Sequence, residues 1–183
     1  MKLATSEIID LVQVGSTLDV PIREFSLSLT KKFSNLTINP APALPDPSEG
    51  YDSSRNQYHS TRLLVLLEHH LEVTGSNRVL GMTSLDLFVP GMNFVFGEAR
   101  CPGQAGVVST FRLRQFAEPT DEDRLVSRIR KEAVHEISHM FGLRHCSDRN
   151  CVMYFSTTLT DTDMKSEDYC SSCHAQFEAM TIK

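Results

Sequence analysis

The sequence predicts an α/β (α+β) chain: one compact domain of alternating strands and helices, ending in a small polar tail. Three observations carry that expectation. The chain has 183 residues, 40% of them hydrophobic, which is enough for one core. Short β-branched runs alternate with stretches whose apolar residues recur every three or four positions. Beyond Gly142 that periodicity fades, and Ser, Thr, Asp and Cys take over.

The elements follow in order. Ile8 to Val14 is β-branched and apolar at most positions, a buried strand ending at Gly15. Asp19 to Phe33 reads as a helix, with Asp19 as cap and Pro21 in the first turn. Leu36 to Ile38 is a short strand. Asn39 to Tyr58 holds Pro40, Pro42, Pro45 and Pro47 and reads as a surface loop, not a domain boundary. Ser60 can cap the next helix, whose face carries Leu63, Leu64, Leu67 and Leu71 and whose stop is Gly75. Arg78 to Gly81 and Leu85 to Val89 read as strands. Asn93 to Phe96 and Ala105 to Thr110 read as a strand pair around a Gly-rich connection.

Pro119 and Thr120 then open a long helix. Thr120 with Asp123 resembles a capping box, and the acidic run Asp121 to Asp123 suits the positive end of the helix dipole. Val126, Ile129, Ala133, Ile137 and Met140 form its buried stripe, and Gly142 is its stop.

Charge excludes some functions. Lys and Arg number 18 against 23 Asp and Glu, a net charge of -5. Nucleic acid and anionic membrane both need a basic face, so neither is an expected partner. Glu7 and Asp10 interrupt the start where a signal peptide needs an apolar stretch. The longest run of large aliphatics, Leu63 to Leu67, is far too short to span a bilayer. A cytoplasmic protein is the expectation, and there clustered cysteines suggest metal before disulfide. The sequon at Asn35 carries no weight without secretion.

The long helix contains His135-Glu136-Ile-Ser-His139. Two histidines four apart leave the same helix face about one turn apart, as two ligands on one zinc ion must. Glu136 is placed to reach a water without ligating the metal. Gly142 lets the chain leave the helix through a positive φ, and His145 can swing back as third ligand. From the frequencies of His, Glu and Gly, a chance match to all five positions arises roughly 3 times in 100,000. The bland alternative is a pair of surface histidines.

Cys146 and Cys151, then Cys170 and Cys173, are two close pairs 18 residues apart, a layout for a four-thiolate structural zinc. Such a site would cross-link a tail with little core of its own. Two disulfides or free buried thiols are the alternatives. Met153, between the pairs, is the candidate for an apolar turn beneath the histidines.

His135-Glu136-x-x-His139-x-x-Gly142-x-x-His145-Cys146, with Cys151-Val-Met153 and Cys170-x-x-Cys173, resembles the archaemetzincins. Arg55-Asn-Gln57-Tyr58 and Asp86 to Ala99 extend the likeness upstream. One departure is visible: Met153 and Cys170 stand one residue closer than in the family pattern. The resemblance implies a twisted mixed sheet flanked by helices, an active-site helix under the cleft and a small C-terminal subdomain. We therefore divide the chain at residues 1–145 and 146–183. It also implies a zinc metallopeptidase with two Zn2+, one catalytic and one structural, acting on peptide or protein. An edge strand within Asn93 to Thr110 would pair with extended substrate.

The expected reaction is amide hydrolysis with Glu136 moving the proton. Where some metzincins place a Tyr two residues after the Met, this chain has Phe155, and Tyr154 follows the Met directly, so Tyr154, Lys165 and Arg144 are only weak candidates to stabilise the oxyanion. An aminopeptidase-like variant would need an anion for the substrate's amine, for which Glu98 is the proposal. The rival function is a catalytically weak zinc-containing scaffold that binds peptides. His59, His69, His70 and His174 read as ordinary residues, and Cys101 as a free thiol.

Overall fold

A computed structural model describes residues 7–15, 18, 20–33, 35–115 and 121–181. Its larger sheet has five strands: β1 (Glu7–Val14), β2 (Leu36–Leu44), β5 (Arg78–Thr83), β7 (Gly97–Ala99) and β8 (Ala105–Ser109). They lie in the order β2-β1-β5-β8-β7. Four are parallel, and β7 alone runs antiparallel, against β8. A smaller sheet joins β3 (Tyr51–Asp52), β4 (Gln57–His59) and β6 (Leu87–Phe88). The helices are α1 (Ile22–Lys32), α2 (Ser60–Thr74), α3 (Glu122–Met140), α4 (Leu159–Met164) and α5 (Ser171–Thr181). The mixed α/β architecture is the one the sequence predicts.

The central strands β1, β5 and β8 are buried on both faces, as parallel strands covered by helices must be. One face packs on α2 through Leu63, Leu64, Leu67 and Leu71. The other packs on α1 and α3, in a core that continues into the tail through Val152, Met153, Cys173 and Phe177. Helix α2 stops where expected, at Gly75 with φ 71°.

Several boundaries differ from the sequence reading. The proline stretch begins as strand: β2 runs on over Pro40 and Pro42. It is an edge strand, and prolines two apart present the same side of the backbone, so their missing N–H groups need not face β1. Asn93 to Phe96 is not a strand; the partner of β8 is the next segment, β7. Phe94 and Phe96 instead pack edge to face 5.2 Å apart. Asp19, Pro119 and Thr120 lie outside the described residues, and the cap of α3 is Asp121, whose carboxylate accepts from the Arg124 N–H. Ser60 begins α2 without capping it.

Helix α3 departs most from its expected pattern. Val126 is only half-buried, while every residue from 131 to 140 is buried. The tail covers its charged side. Arg128 forms a two-bond pair with Asp163, at 2.6 and 2.7 Å. The Lys131 ammonium donates to the carbonyls of Thr162 and Asp163, at the C-terminal end of α4. Helix α4 starts with a capping box between Thr158 and Asp161.

Candidate active site

The second half of α3 presents His135, Glu136 and His139 beside the free edge of β7. A cleft there is lined by Gly97, Glu98, Ala99 and Cys101 from the β7 segment, by those three helix residues, and by His145 and Phe155. Gly142 makes the turn with φ 103°, and His145 comes back against the other two imidazoles. No L side chain adopts that φ readily, so the turn depends on glycine.

Hydrogen bonds fix which ring nitrogens carry protons. Nδ1–H of His135 donates to the Val152 carbonyl at 2.9 Å, and Nδ1–H of His139 to the Leu143 carbonyl at 2.6 Å. A carbonyl only accepts, so both Nε2 atoms keep lone pairs. These two Nε2 atoms face each other 3.0 Å apart. Burial pushes His135 far below the usual imidazole range and His139 down to about 4; His145 is lowered by burial and then by Lys165. All three are neutral at pH 7, the form that ligates a metal. Two lone pairs so close repel unless a cation lies between them. Two nitrogens on a tetrahedral zinc at about 2.05 Å would stand about 3.3 Å apart. The donor set fits zinc.

Glu136 is buried at the same spot. Burial raises its carboxyl well above the usual carboxylate range; Glu132 adds to this and Lys165 opposes it. Gly97 makes the approach possible. A Cβ there would lie 2.6 Å from Glu136 Oε1 and 2.7 Å from the Val107 carbonyl oxygen.

The four tail cysteines also converge, and none is in a disulfide. Cys146 and Cys170 Sγ are 3.8 Å apart. A disulfide needs about 2.05 Å, whereas two thiolates on a tetrahedral zinc at about 2.3 Å stand about 3.8 Å apart. Backbone N–H groups of Asp148 and Cys170 donate to Cys146 and Cys151 sulfurs. Burial raises the Cys151 and Cys173 thiols, while the Cys173 N–H holds Cys170 down. The loop between Met153 and Cys170, one residue short of the family pattern, still brings all four sulfurs together. His174 stands outside this group, beside Glu178.

The two clusters share one segment. His145 precedes Cys146, whose N–H donates to the Met153 carbonyl. Met153 is fully buried, between the Val152 carbonyl held by His135 and the Tyr154 carbonyl held by Lys165.

The model of peptidase family M54 matches residues 49–179. The chain belongs to peptidase family M54. It is 48% identical over 128 residues, 69% of each chain, to an archaemetzincin of Methanopyrus kandleri. A crystal structure of archaemetzincin from M. kandleri aligns at a TM-score of 0.84 and 34% identity over 98% of both chains. That of Archaeoglobus fulgidus archaemetzincin complexed with malonate aligns at 0.79 and 38%, over 92% of this chain and 99% of that one. As an M54 member the chain is a zinc metallopeptidase, and the archaemetzincin likeness read from the motifs holds across its length.

The remaining residues weighed from the sequence stand as follows. Lys165 is fully buried on Glu132 and does not line the cleft. Tyr154 lies under Arg149, and Arg144 is exposed. The Glu98 carboxylate accepts from the Ser60 and Thr61 hydroxyls at the start of α2. His70 is buried on Asp10, at 2.9 Å. His59 packs on Phe88, and Cys101 is exposed.

A supporting network was not evident as such from the sequence. Gln57 donates to Asp86 and to the Asn93 carbonyl, Arg55 to the Met92 and Asn93 carbonyls, and Arg112 forms a two-bond pair with Asp86. These bonds hold the 86–96 segment that leads into β7. The matching upstream motifs marked these residues, Arg112 excepted, without revealing their partners.

Proposed function

We propose that the chain hydrolyses peptide bonds at the cleft between β7 and α3, with Glu136 as the catalytic acid and base. His135, His139 and His145 would hold catalytic zinc, and Cys146, Cys151, Cys170 and Cys173 a structural one, two Zn2+ per chain. Zinc in a three-histidine site supplies Lewis acidity and acidifies water. The observation that carries the reading is the pair of facing Nε2 lone pairs with Glu136 buried beside them.

The residues' own parts follow. The Val152 and Leu143 carbonyls fix the imidazole tautomers, and Met153 packs the floor between them. Glu136 takes a proton from the attacking water and returns it to the leaving amine; its raised proton affinity suits both halves. The free edge of β7 offers backbone groups to an extended substrate. In the aminopeptidase-like variant of this reading, Glu98 faces the substrate's free amine from the same cleft. N-terminally acetylated peptides test it: they are refractory if the variant holds.

The division at 145/146 belongs to the same reading: the tail's own zinc holds it, and its core joins that of residues 1–145. The net charge of -5 supports peptide over nucleic acid as partner. Among the described residues no helix is long and apolar enough to cross a membrane. A cytoplasmic location remains our proposal from the cysteine usage.

Glu136→Ala is the deciding variant. Peptide turnover should fall by at least about 100-fold while zinc content is unchanged. Equal turnover would remove Glu136 from the mechanism. Undetectable turnover in wild type with retained peptide binding would favour the scaffold.

A further inference from the structure

A second, smaller pocket opens beside Glu136. Its lining includes Phe94, Phe96, Phe155, Glu132 and Ser156, together with His135 and Glu136 of the metal-site helix. The room for the centres of water-sized atoms is ≈ 30 Å³. About 10–15 Å³ is the least that admits one water, so this is a small pocket, sized for a short side chain. An aromatic side chain does not fit it as it stands.

Its polar groups are unequal. The Glu132 carboxylate is already engaged by Lys165 and Thr162. Ser156 is not: it is nine-tenths buried, and its Oγ has no hydrogen-bond partner in the protein. Neighbouring hydroxyls are bonded, Thr157 and Thr158 to Asp161 and Thr162 to Glu132. A buried hydroxyl without a partner is costly, and the cost disappears when a ligand supplies one.

We propose that this pocket receives a short hydroxyl-bearing side chain of the substrate, Ser or Thr, and that Ser156 Oγ is its specificity-determining group. The inference rests on the peptidase reading, because the pocket adjoins Glu136. Phe94, Phe96 and Phe155 limit size; Ser156 reads the hydroxyl. Discrimination is greatest against a side chain of the same shape that lacks the hydroxyl, because it buries Ser156 and leaves it unpaired.

Two peptide series identical but for Thr, Val, Ser, Ala, Leu or Phe at each position in turn provide the test, with kcat/KM measured for wild type and Ser156→Ala. At one position on either side of the scissile bond, wild type should prefer Thr over its isostere Val by about 10-fold or more. Leu and Phe should be poorer still. Ser156→Ala should bring Thr and Val within about 3-fold of each other. Equal rates for Thr and Val in wild type, or an unchanged preference in Ser156→Ala, overturn the proposal. If wild type cleaves none of the peptides, the peptidase reading fails separately. Calorimetric binding of the Thr and Val peptides to zinc-loaded Glu136→Ala protein then tests the pocket alone, and equal affinities overturn it.

Discussion

Replacing Lys165 with Met should be among the most damaging single changes outside the metal ligands. Its side chain is fully buried, and that of Glu132 is 4% exposed; the two meet at 3.0 Å. At that distance the attraction is about 5 kcal/mol for an effective dielectric of about 20. The variant loses that attraction and strands the Glu132 carboxylate, which still accepts from the Thr162 hydroxyl. Breaking a buried pair from one side costs about 3–5 kcal/mol. For a chain of this size that is a fall of about 6–20 °C in melting temperature. Replacing both partners, Lys165→Met with Glu132→Met, removes the stranded charge and should recover most of the loss. Thermal melts of zinc-saturated wild type, single and double variants decide it. A single variant within about 1 kcal/mol of wild type, or a double variant less stable than the single, would refute the reasoning.

Other consequences are as direct. Gly97→Ala puts a methyl where Glu136 and the Val107 carbonyl already lie, so the carboxylate must move. Peptide turnover should drop about 100-fold at unchanged zinc content, because small displacements of a catalytic group are expensive. The Asp163 pair should show in acid. Arg128 holds the Asp163 carboxyl below its ordinary value, so the pair's stabilisation is present above about pH 4 and is lost as pH falls through the lowered folded value. Asp163 is 38% exposed, so solvent screening keeps the gain to about 1 kcal/mol. Urea melts of wild type and Asp163→Asn should differ at pH 6 and converge toward pH 3.

The site was more legible in the sequence than the elements around it. Local geometry fixes it: His135 and His139 share a helix face, and Gly142 turns His145 back at a φ that glycine alone adopts freely. Such constraints act within ten residues and survive any tertiary context. Strand boundaries do not. Gly97 belongs to β7 because Glu136 needs the space of its missing side chain, and that contact spans 39 residues of sequence. Pro40 and Pro42 read as loop because nothing local marks β2 as an edge strand. Arg128, Lys131 and Glu132 lie off the apolar stripe of α3, and nothing local marks them as buried, since their partners Asp163, Thr162 and Lys165 come from a tail with no apolar period. Helix α4 did leave a local mark, the Thr158–Asp161 capping box, but one without an apolar period beside it.

We propose a content of two zinc ions per chain, one on His135, His139 and His145 and the other on the four tail cysteines. Elemental analysis of wild type and His139→Ala measures it directly. Two zinc per chain falling to one in the variant is the predicted result. One zinc in wild type, or two retained in His139→Ala, would contradict it.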